Sequence, residues 1–186
     1  GAHLDIVVAP KFLRQYSMCG DPADRFCYEI AVLIEPEGRG GSKLMHRIFE
    51  QGRRVFVSKP INHFRLDASA TLSLLFGGGI GVTPMIAFAH ELDRARRAFK
   101  LMYSASTRGS AAFDADFASY SWIEKSSRHY SDNGTRLNIA TAVPPYASGI
   151  HIYVCGPDAY MSTILEHARS VGYPDAALHA EFFVAP

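Results

Sequence analysis

The pattern of hydrophobic and polar positions changes near residue 70 of this 186-residue chain. Before that point, apolar residues alternate with polar ones or form short runs rich in β-branched and aromatic side chains, which is typical of β-strands. The predicted strands are His3–Ala9, Phe12–Cys19, Phe26–Leu33 and Arg53–Ser58. One short helix is predicted over Ser42–Glu50, with Gly52 as its stop. Short strands joined by tight turns predict an antiparallel β-barrel.

After residue 70, continuous apolar strands alternate with helices. The predicted strands are Thr71–Phe76, Phe99–Ser104, a weaker one at Arg128–Tyr130, Ile150–Cys155 and Ala177–Phe183. The predicted helices are Pro84–Arg97, Ala111–Ser121 and Asp158–Val171, and Leu137–Val143 fits either a helix or a strand. Strands buried on both faces and alternating with helices predict a doubly wound, five-stranded parallel sheet. We therefore expect a barrel domain over 1–69 and an α/β domain over 70–186.

Composition excludes several classes of protein. The formal net charge is +1, which gives no indication of binding to nucleic acid or to a membrane surface, and no apolar run approaches the ~20 residues that span a bilayer. No signal peptide is visible, although the missing initial Met leaves a processed or trimmed chain open. Cys19, Cys27 and Cys155 favour free thiols in a reducing, cytoplasmic setting, with a Cys19–Cys27 disulfide as the weaker alternative.

No metal is expected in this chain. The cysteine spacing does not resemble that of an iron–sulfur site, and the histidines lack the paired spacing of zinc ligands. We expect each of the following to be a surface residue or a satisfied core residue: His46, His63, His90, His129, His151 and His179.

A glycine-rich turn follows the first parallel strand, over Gly77–Pro84. Its glycines let the backbone approach a bulky ligand closely, Thr83 can cap the following helix, and Pro84 suits the first helical position. Exposed N–H groups and the positive helix end then attract a pyrophosphate. A plain tight turn is the alternative. An ordinary Rossmann dehydrogenase is disfavoured, because Val82 replaces the third glycine and no acidic residue ends the second strand.

Four motifs in order carry a resemblance to a known family. They are Arg14-Gln15-Tyr16-Ser17, Gly38-Arg39-Gly40-Gly41-Ser42, Gly77–Pro84, and Cys155-Gly156-Pro157 with Met161, followed by Glu181-Phe182-Phe183, which is similar to the family's E-x-F ending. The chain resembles the ferredoxin reductase family, in its phthalate dioxygenase reductase and vanillate demethylase reductase branch. The resemblance implies a flavin-binding antiparallel barrel followed by a nicotinamide-binding α/β domain. It begins inside the barrel, so the barrel is predicted to be incomplete.

The resemblance implies roles in flavin binding for residues of both domains. Arg14 would pair with the flavin phosphate, Tyr16 would lie beside the ring, and Ser17 would hydrogen-bond near flavin N5. The full implied set is Arg14, Tyr16, Ser17, Ala31, Val32, Gly40, Gly41, Ser42, Thr83 and Phe183. Core packing is the alternative for Ala31 and Val32, and a solvated turn is the alternative for Gly38–Ser42. Short phosphate cradles of this form go with FMN in this branch, so the resemblance implies FMN rather than FAD.

A second implied set would bind the nicotinamide dinucleotide. Its members are Gly78, Gly79, Gly81, Thr83, Pro84, Cys155, Gly156, Pro157 and Met161. The resemblance places Cys155 near nicotinamide C4, so Ser17 and Cys155 are the expected catalytic residues, without a nucleophilic role for the thiol; a small buried residue is the alternative. Ser106 stands where relatives often carry an Arg, which Arg108 could replace. We expect NADH rather than NADPH.

The implied function is that of an oxygenase reductase component. Hydride would pass from NADH to FMN, and single electrons would pass on to a [2Fe-2S] ferredoxin or a Rieske-type oxygenase or demethylase. The branch often continues into a ferredoxin domain, so we expect that domain to be separate or deleted, with a terminal oxygenase as the further partner. The alternative is an incomplete, non-catalytic flavin- and NAD-binding subunit or interaction module.

Overall fold

The computed structural model describes residues 1–10 and 12–183, and its first sheet is antiparallel. This sheet contains β1 (Ala2–Ala9), β2 (Phe12–Ser17), β3 (Phe56–Val57) and β4 (Ile61–Asn62). Strand β1 is central and pairs with the other three. Helix α1 (Gly41–Ile48) packs Met45 onto a small core under β1.

The second sheet is parallel and five-stranded, in the order β7-β6-β5-β8-β9. Its strands are β5 (Leu72–Gly78), β6 (Ala98–Ala105), β7 (Ser126–Tyr130), β8 (Ile150–Cys155) and β9 (Leu178–Glu181). The helices beside it are α2 (Val82–Arg94), α3 (Ile139–Ala142) and α4 (Asp158–Ser170), with 3-10 turns at Gly79–Gly81, Asp116–Ser119, Ile123–Lys125 and Asp175–Ala177. The predicted fold class, an antiparallel sheet before a five-stranded parallel α/β unit, is confirmed.

Successive side chains of the central strands belong to two separate hydrophobic cores, one on each face of the sheet. Leu75 and Tyr153 face α2, whereas Leu74 and Ile152 face the α4 side, and all four are buried. Two apolar faces are what a parallel sheet covered by helices requires. The predicted boundary between residues 69 and 70 falls between β4 and β5 and stays a prediction, and the last three residues of the predicted second domain lie outside the described part.

Two predicted elements are wrong. The segment Phe26–Leu33 is not a strand: a single bridge joins Ile30 to Met18, and Phe26 is fully exposed. Its apolar pattern lacks a neighbouring strand, among the described residues, that would complete a ladder. The predicted helix Ala111–Ser121 is a series of turns with only one 3-10 segment, because Phe113 has a φ of 65°, which an α-helix does not tolerate.

Other elements match the prediction in type but not in length. Only Phe56–Val57 of Arg53–Ser58 pairs as a strand. Within Leu137–Val143, which fitted either type, the structure has the short helix α3, and the Asn138 side chain accepts a hydrogen bond from the Thr141 N–H at 3.3 Å. None of the helices in the described ranges is long and apolar enough to cross a bilayer.

Candidate cofactor-binding cleft

A cleft of about 600 Å³ lies between the two sheets and takes side chains from both. From the first sheet and its loops it is lined by His3, Arg14, Gln15, Tyr16, Ser17, Ala31, Leu33, Glu35, Gly38, Arg39, Gly41, Ser42, His63 and Phe64. From the second unit it is lined by Ile80, Thr83, Ala180, Glu181, Phe182 and Phe183. Three of the four sequence motifs and the Glu181–Phe183 ending therefore meet at one cavity.

The end of β2 brings the polar groups of its motif to this cleft. Tyr16 is half-buried, and this burial raises the pKa of its phenol, with the Arg14 charge acting in the opposite direction. Ser17 is buried and its hydroxyl donates a 3.0 Å hydrogen bond to a carboxylate oxygen of Glu181 on β9. Burial also raises the pKa of Glu181, and the bond from Ser17 partly offsets that rise. One residue from each sheet is thus fixed at the centre of the cleft.

The loop before α1 is shaped by glycine rather than by a capping side chain. Gly40 is the N-cap of α1 and has a φ of 87°, which favours glycine, and it makes no side-chain cap hydrogen bond. Ser42 does not cap this helix, because it is the second helical residue and its hydroxyl accepts a 3.1 Å hydrogen bond from the Glu35 N–H. That bond joins the residue before the loop, Glu35, to the first turn of α1.

Arg14 lies directly against this loop. A Cβ atom added at Gly41 would come within 2.6 Å of the Arg14 Nε atom. The Arg14 guanidinium also donates a 2.7 Å hydrogen bond to the Leu13 carbonyl and lies 5.2 Å from the Phe12 ring centroid. The absence of a side chain at Gly41 lets the cation reach the exposed start of α1, where helix N–H groups and the dipole favour an anion.

The second glycine turn packs against the end of β8. A Cβ at Gly81 would lie 2.4 Å from the Cys155 carbonyl oxygen, so backbone meets backbone there. Helix α2 begins at Val82 with Gly81 as N-cap. The predicted cap at Thr83 is therefore wrong: its hydroxyl donates a 3.0 Å hydrogen bond to the Ile80 carbonyl, and Pro84 is the third helical residue rather than the first.

Cys155 is completely buried at the end of β8, beside Glu181 in the β8–β9 register. Burial, and after it the Glu181 charge, raises the pKa of the thiol. The thiol is therefore protonated at neutral pH, which agrees with a packing residue that is not a nucleophile. Its side chain does not line the cleft.

The structure gathers many, but not all, of the predicted site residues. Arg14, Tyr16, Ser17, Ala31, Gly41, Ser42, Thr83 and Phe183 line the cleft. Gly40 and Val32 do not, and Val32 packs on the core under β1. Gly78, Gly79, Gly81, Pro84, Gly156 and Pro157 form the adjoining turn and strand end, whereas the Met161 side chain is buried in the α4 core. The roles of all these residues stay predictions.

Several lining residues were missed by the sequence reasoning. His3 lies opposite Ser17 in the β1–β2 register, and its ring centroid is 5.9 Å from that of His63. Glu181 was recognised only as part of the chain's ending, although its acidic side chain between two apolar neighbours was the available signal. No sequence signal pointed to His63 or Phe64, because they follow β4 and belong to none of the motifs.

Two other predictions concern cysteine and arginine. Cys19, Cys27 and Cys155 are all free thiols, so the alternative of a Cys19–Cys27 disulfide is wrong. Arg108 is exposed and forms an ion pair with Asp114 at 2.8 Å.

No family model matches the chain, but comparison with individual proteins is informative. The chain is 39% identical to the vanillate O-demethylase oxidoreductase of Pseudomonas sp. strain HR199, and the match covers 100% of this chain and 59% of that protein. It is 34% identical to the phthalate dioxygenase reductase of Burkholderia cepacia, covering 100% of this chain and 58% of that protein. This chain is a relative of these reductases. The predicted resemblance is thereby confirmed.

A solved structure extends the likeness to three dimensions. Phthalate dioxygenase reductase, described as a modular structure for electron transfer from pyridine nucleotides to [2Fe-2S], superposes with a TM-score of 0.91 and 34% identity. The match covers 100% of this chain and 58% of that one. The chain thus spans a little under three fifths of the proteins it resembles.

Proposed function

We propose that this chain is the flavin- and nicotinamide-binding part of an oxygenase reductase, passing hydride from NADH to FMN and then single electrons to a [2Fe-2S] or Rieske-type acceptor. The observation that carries the proposal is the shared cleft, which puts the Arg14–Ser17 motif and the Glu181–Phe183 ending on one cavity. Hydride transfer requires two rings in contact, and a cleft built from both units can hold one ring against the other.

The flavin side of the proposal rests on charge and shape. Arg14 and the start of α1 offer a guanidinium fork and free N–H groups for a phosphate. Tyr16 and Phe183 offer aromatic surface, and Ser17 offers a hydroxyl whose proton is directed to Glu181. When bound, the flavin would supply the two-electron to one-electron conversion, and the protein would orient it and exclude water. The single short phosphate cradle supports FMN rather than FAD.

The nicotinamide side rests on the turn over Gly77–Pro84. It lies at the carboxyl ends of parallel strands, which is where open α/β sheets bind ligands. Gly81 and the Cys155 carbonyl pack tightly there, so the turn is a rigid support for a dinucleotide. NADH is preferred to NADPH because Arg108, the cation near Ser106, is already paired with Asp114.

The acceptor is proposed from the relatives. Their names identify them as a vanillate demethylase oxidoreductase and a phthalate dioxygenase reductase. We propose a [2Fe-2S] ferredoxin domain and a terminal oxygenase as partners. A cytoplasmic location is in keeping with three free thiols.

The test is a visible spectrum of the purified protein before and after anaerobic NADH addition, followed by chromatography of the released flavin. We expect a yellow protein that bleaches with NADH and releases FMN. The variant Arg14→Gln should lose flavin, whereas Arg47→Gln, on the exposed side of α1, should retain it. A protein that takes up no flavin, or that holds flavin without responding to NADH, would instead support the non-catalytic binding module.

A further inference from the structure

A cluster of three potential metal ligands lies outside the cleft. One ligand atom each from Asp67, His151 and His179 lies within 4.8 Å of the others. His151 is the second residue of β8, and Cys155 at the opposite end of that strand is four residues away, or roughly 13 Å. The cluster is therefore at the amino end of the parallel sheet, away from the glycine turn.

One ring nitrogen of His151 points at one ring nitrogen of His179. His151 Nδ1 and His179 Nε2 are 2.9 Å apart and share a hydrogen bond, which a bound ion would replace, and the two rings lie within 11° of parallel. Two ligands of a tetrahedral zinc ion, each bound at about 2.0–2.1 Å, are about 3.3 Å apart. The imidazole pair is therefore within a few tenths of an ångström of the spacing that a shared ion requires.

The surroundings hold Asp67 and His179 in place. The His179 ring stacks on Tyr153 at 4.5 Å, and the Tyr153 hydroxyl accepts a 2.8 Å hydrogen bond from the Asp67 N–H. Ser69 donates two hydrogen bonds to one Asp67 carboxylate oxygen, at 2.7 and 2.6 Å, and Arg97 donates to the Asp67 carbonyl at 2.6 Å. Supporting bonds of this kind orient the ligands of metal sites.

A further buried polar group belongs to the same face. Ser73 lies beside His151 in the β5–β8 register, is 1% exposed, and its hydroxyl has no hydrogen-bond partner among the residues that the structure describes. An unsatisfied buried hydroxyl is costly, and a water molecule bound to a metal could satisfy it. His179 and Asp67 are only half-buried, so the cluster is open to solvent and to an entering ion.

We propose that Asp67, His151 and His179 form a binding site for one zinc-class divalent transition metal ion, which fastens the segment between the two sheets to β8 and β9. Two imidazoles and a carboxylate suit zinc, cobalt, nickel or copper rather than magnesium or calcium, which prefer oxygen ligands. Three protein ligands leave a fourth position for water. Binding would bring the Asp67 carboxylate nearer to the imidazoles by up to about 1.5 Å and would move the two imidazole nitrogens apart by a few tenths of an ångström. The exposed residues that follow Asp67 leave room for this movement.

The test is a competition titration of the full chain with Zn²⁺ against a chromophoric chelator at pH 7.5. We expect one equivalent to bind with a dissociation constant below about 1 µM, a rise in melting temperature of several degrees, and no response to Mg²⁺. Asp67→Asn and His179→Gln should each weaken binding by at least tenfold. His129→Gln, on β7, should leave binding unchanged.

Two results would overturn the proposal. One is the absence of stoichiometric zinc binding by the unaltered chain. The other is binding that both Asp67→Asn and His179→Gln leave unchanged, since the ion would then occupy another site. The two variants avoid the buried His151, and their circular dichroism and unfolding curves without metal check that they are folded. The readout requires neither flavin nor NADH, so its outcome is independent of the proposed reductase function.

Discussion

The Ser17 hydroxyl on β2 donates a 3.0 Å hydrogen bond to Glu181 on β9, and this bond joins the two sheets across the cleft. Ser17 is buried, and burial raises the pKa of Glu181 above its usual value. Because the Ser17 hydroxyl donates its proton to Glu181, its oxygen lone pairs face a molecule bound in the cleft as hydrogen-bond acceptors. The pair therefore links the domain of the proposed flavin site to the domain of the proposed nicotinamide site.

Ser17→Ala should slow the reduction of bound flavin by NADH at least tenfold, with little change in flavin affinity. The physical reason is the loss of a polar contact that, in the proposed mechanism, lies beside the flavin ring and positions it for hydride transfer. Anaerobic stopped-flow absorbance measures the rate, and Ser119→Ala, on an exposed 3-10 turn, is the control. An unchanged rate would remove Ser17 from the proposed mechanism.

Gly41→Ala should weaken flavin binding at least tenfold while leaving protein stability almost unchanged. The added Cβ would lie 2.6 Å from Arg14 Nε, and this flexible side chain can move aside at small cost, but it then leaves the start of α1. Fluorescence titration of the flavin-free protein with FMN measures the affinity. Gly109→Ala is the matched control, since its nearest neighbour is 3.9 Å away; equal affinities for the two variants would contradict the phosphate cradle.

Gly81→Ala should lower the free energy of unfolding by about 2 kcal/mol, because a Cβ at this position meets the Cys155 carbonyl at 2.4 Å and backbone must shift. The φ of Gly81 is −64°, so the cost comes from the contact and not from the backbone conformation. Urea unfolding followed by circular dichroism measures it. A loss no larger than that of Gly109→Ala would show that the turn and the end of β8 are not tightly packed in solution.

Asp114 should stabilise the fold in a pH-dependent manner. The hydrogen bond from Tyr130, followed by the pairing with Arg108, lowers the pKa of this carboxyl below its usual value. A lowered pKa in the folded state gives stability that is present above the unfolded pKa of about 3.9 and is lost as the pH falls through the folded pKa. Asp114→Asn should cost about 2 kcal/mol at pH 7, and this difference should shrink below pH ~4.

Urea unfolding at several pH values from 7 to 3 checks this expectation. Asp132→Asn, at an exposed turn after β7, is the control and should differ little from the unaltered protein at any pH. An Asp114→Asn deficit that stays constant from pH 7 to pH 3 would mean that the charge of Asp114 contributes nothing to the difference.

The sequence reasoning succeeded where local pattern and local chemistry agree. Continuous apolar runs such as Ile150–Cys155 are strands, and the glycine turn at Gly77–Pro84 joins a strand to a helix. It failed at two segments whose local pattern does not match their backbone. Phe26–Leu33 has the alternation of a strand but finds only one bridge, and the left-handed φ of Phe113 interrupts the predicted helix at Ala111–Ser121.

By itself, the sequence determined the fold class of each domain, the order of the motifs and three of the motifs that line the cleft, because periodicity and glycine turns are properties of neighbouring residues. Only the tertiary structure decided that Ser17 meets Glu181, that Arg14 lies against Gly41, and that His151, His179 and Asp67 converge. These contacts join residues that are 27 to 164 positions apart. The pairing of β8 with β9 brings His151 near His179, whereas the other contacts join different sheets or join a strand to a helix or a loop, and no local pattern encodes such distances.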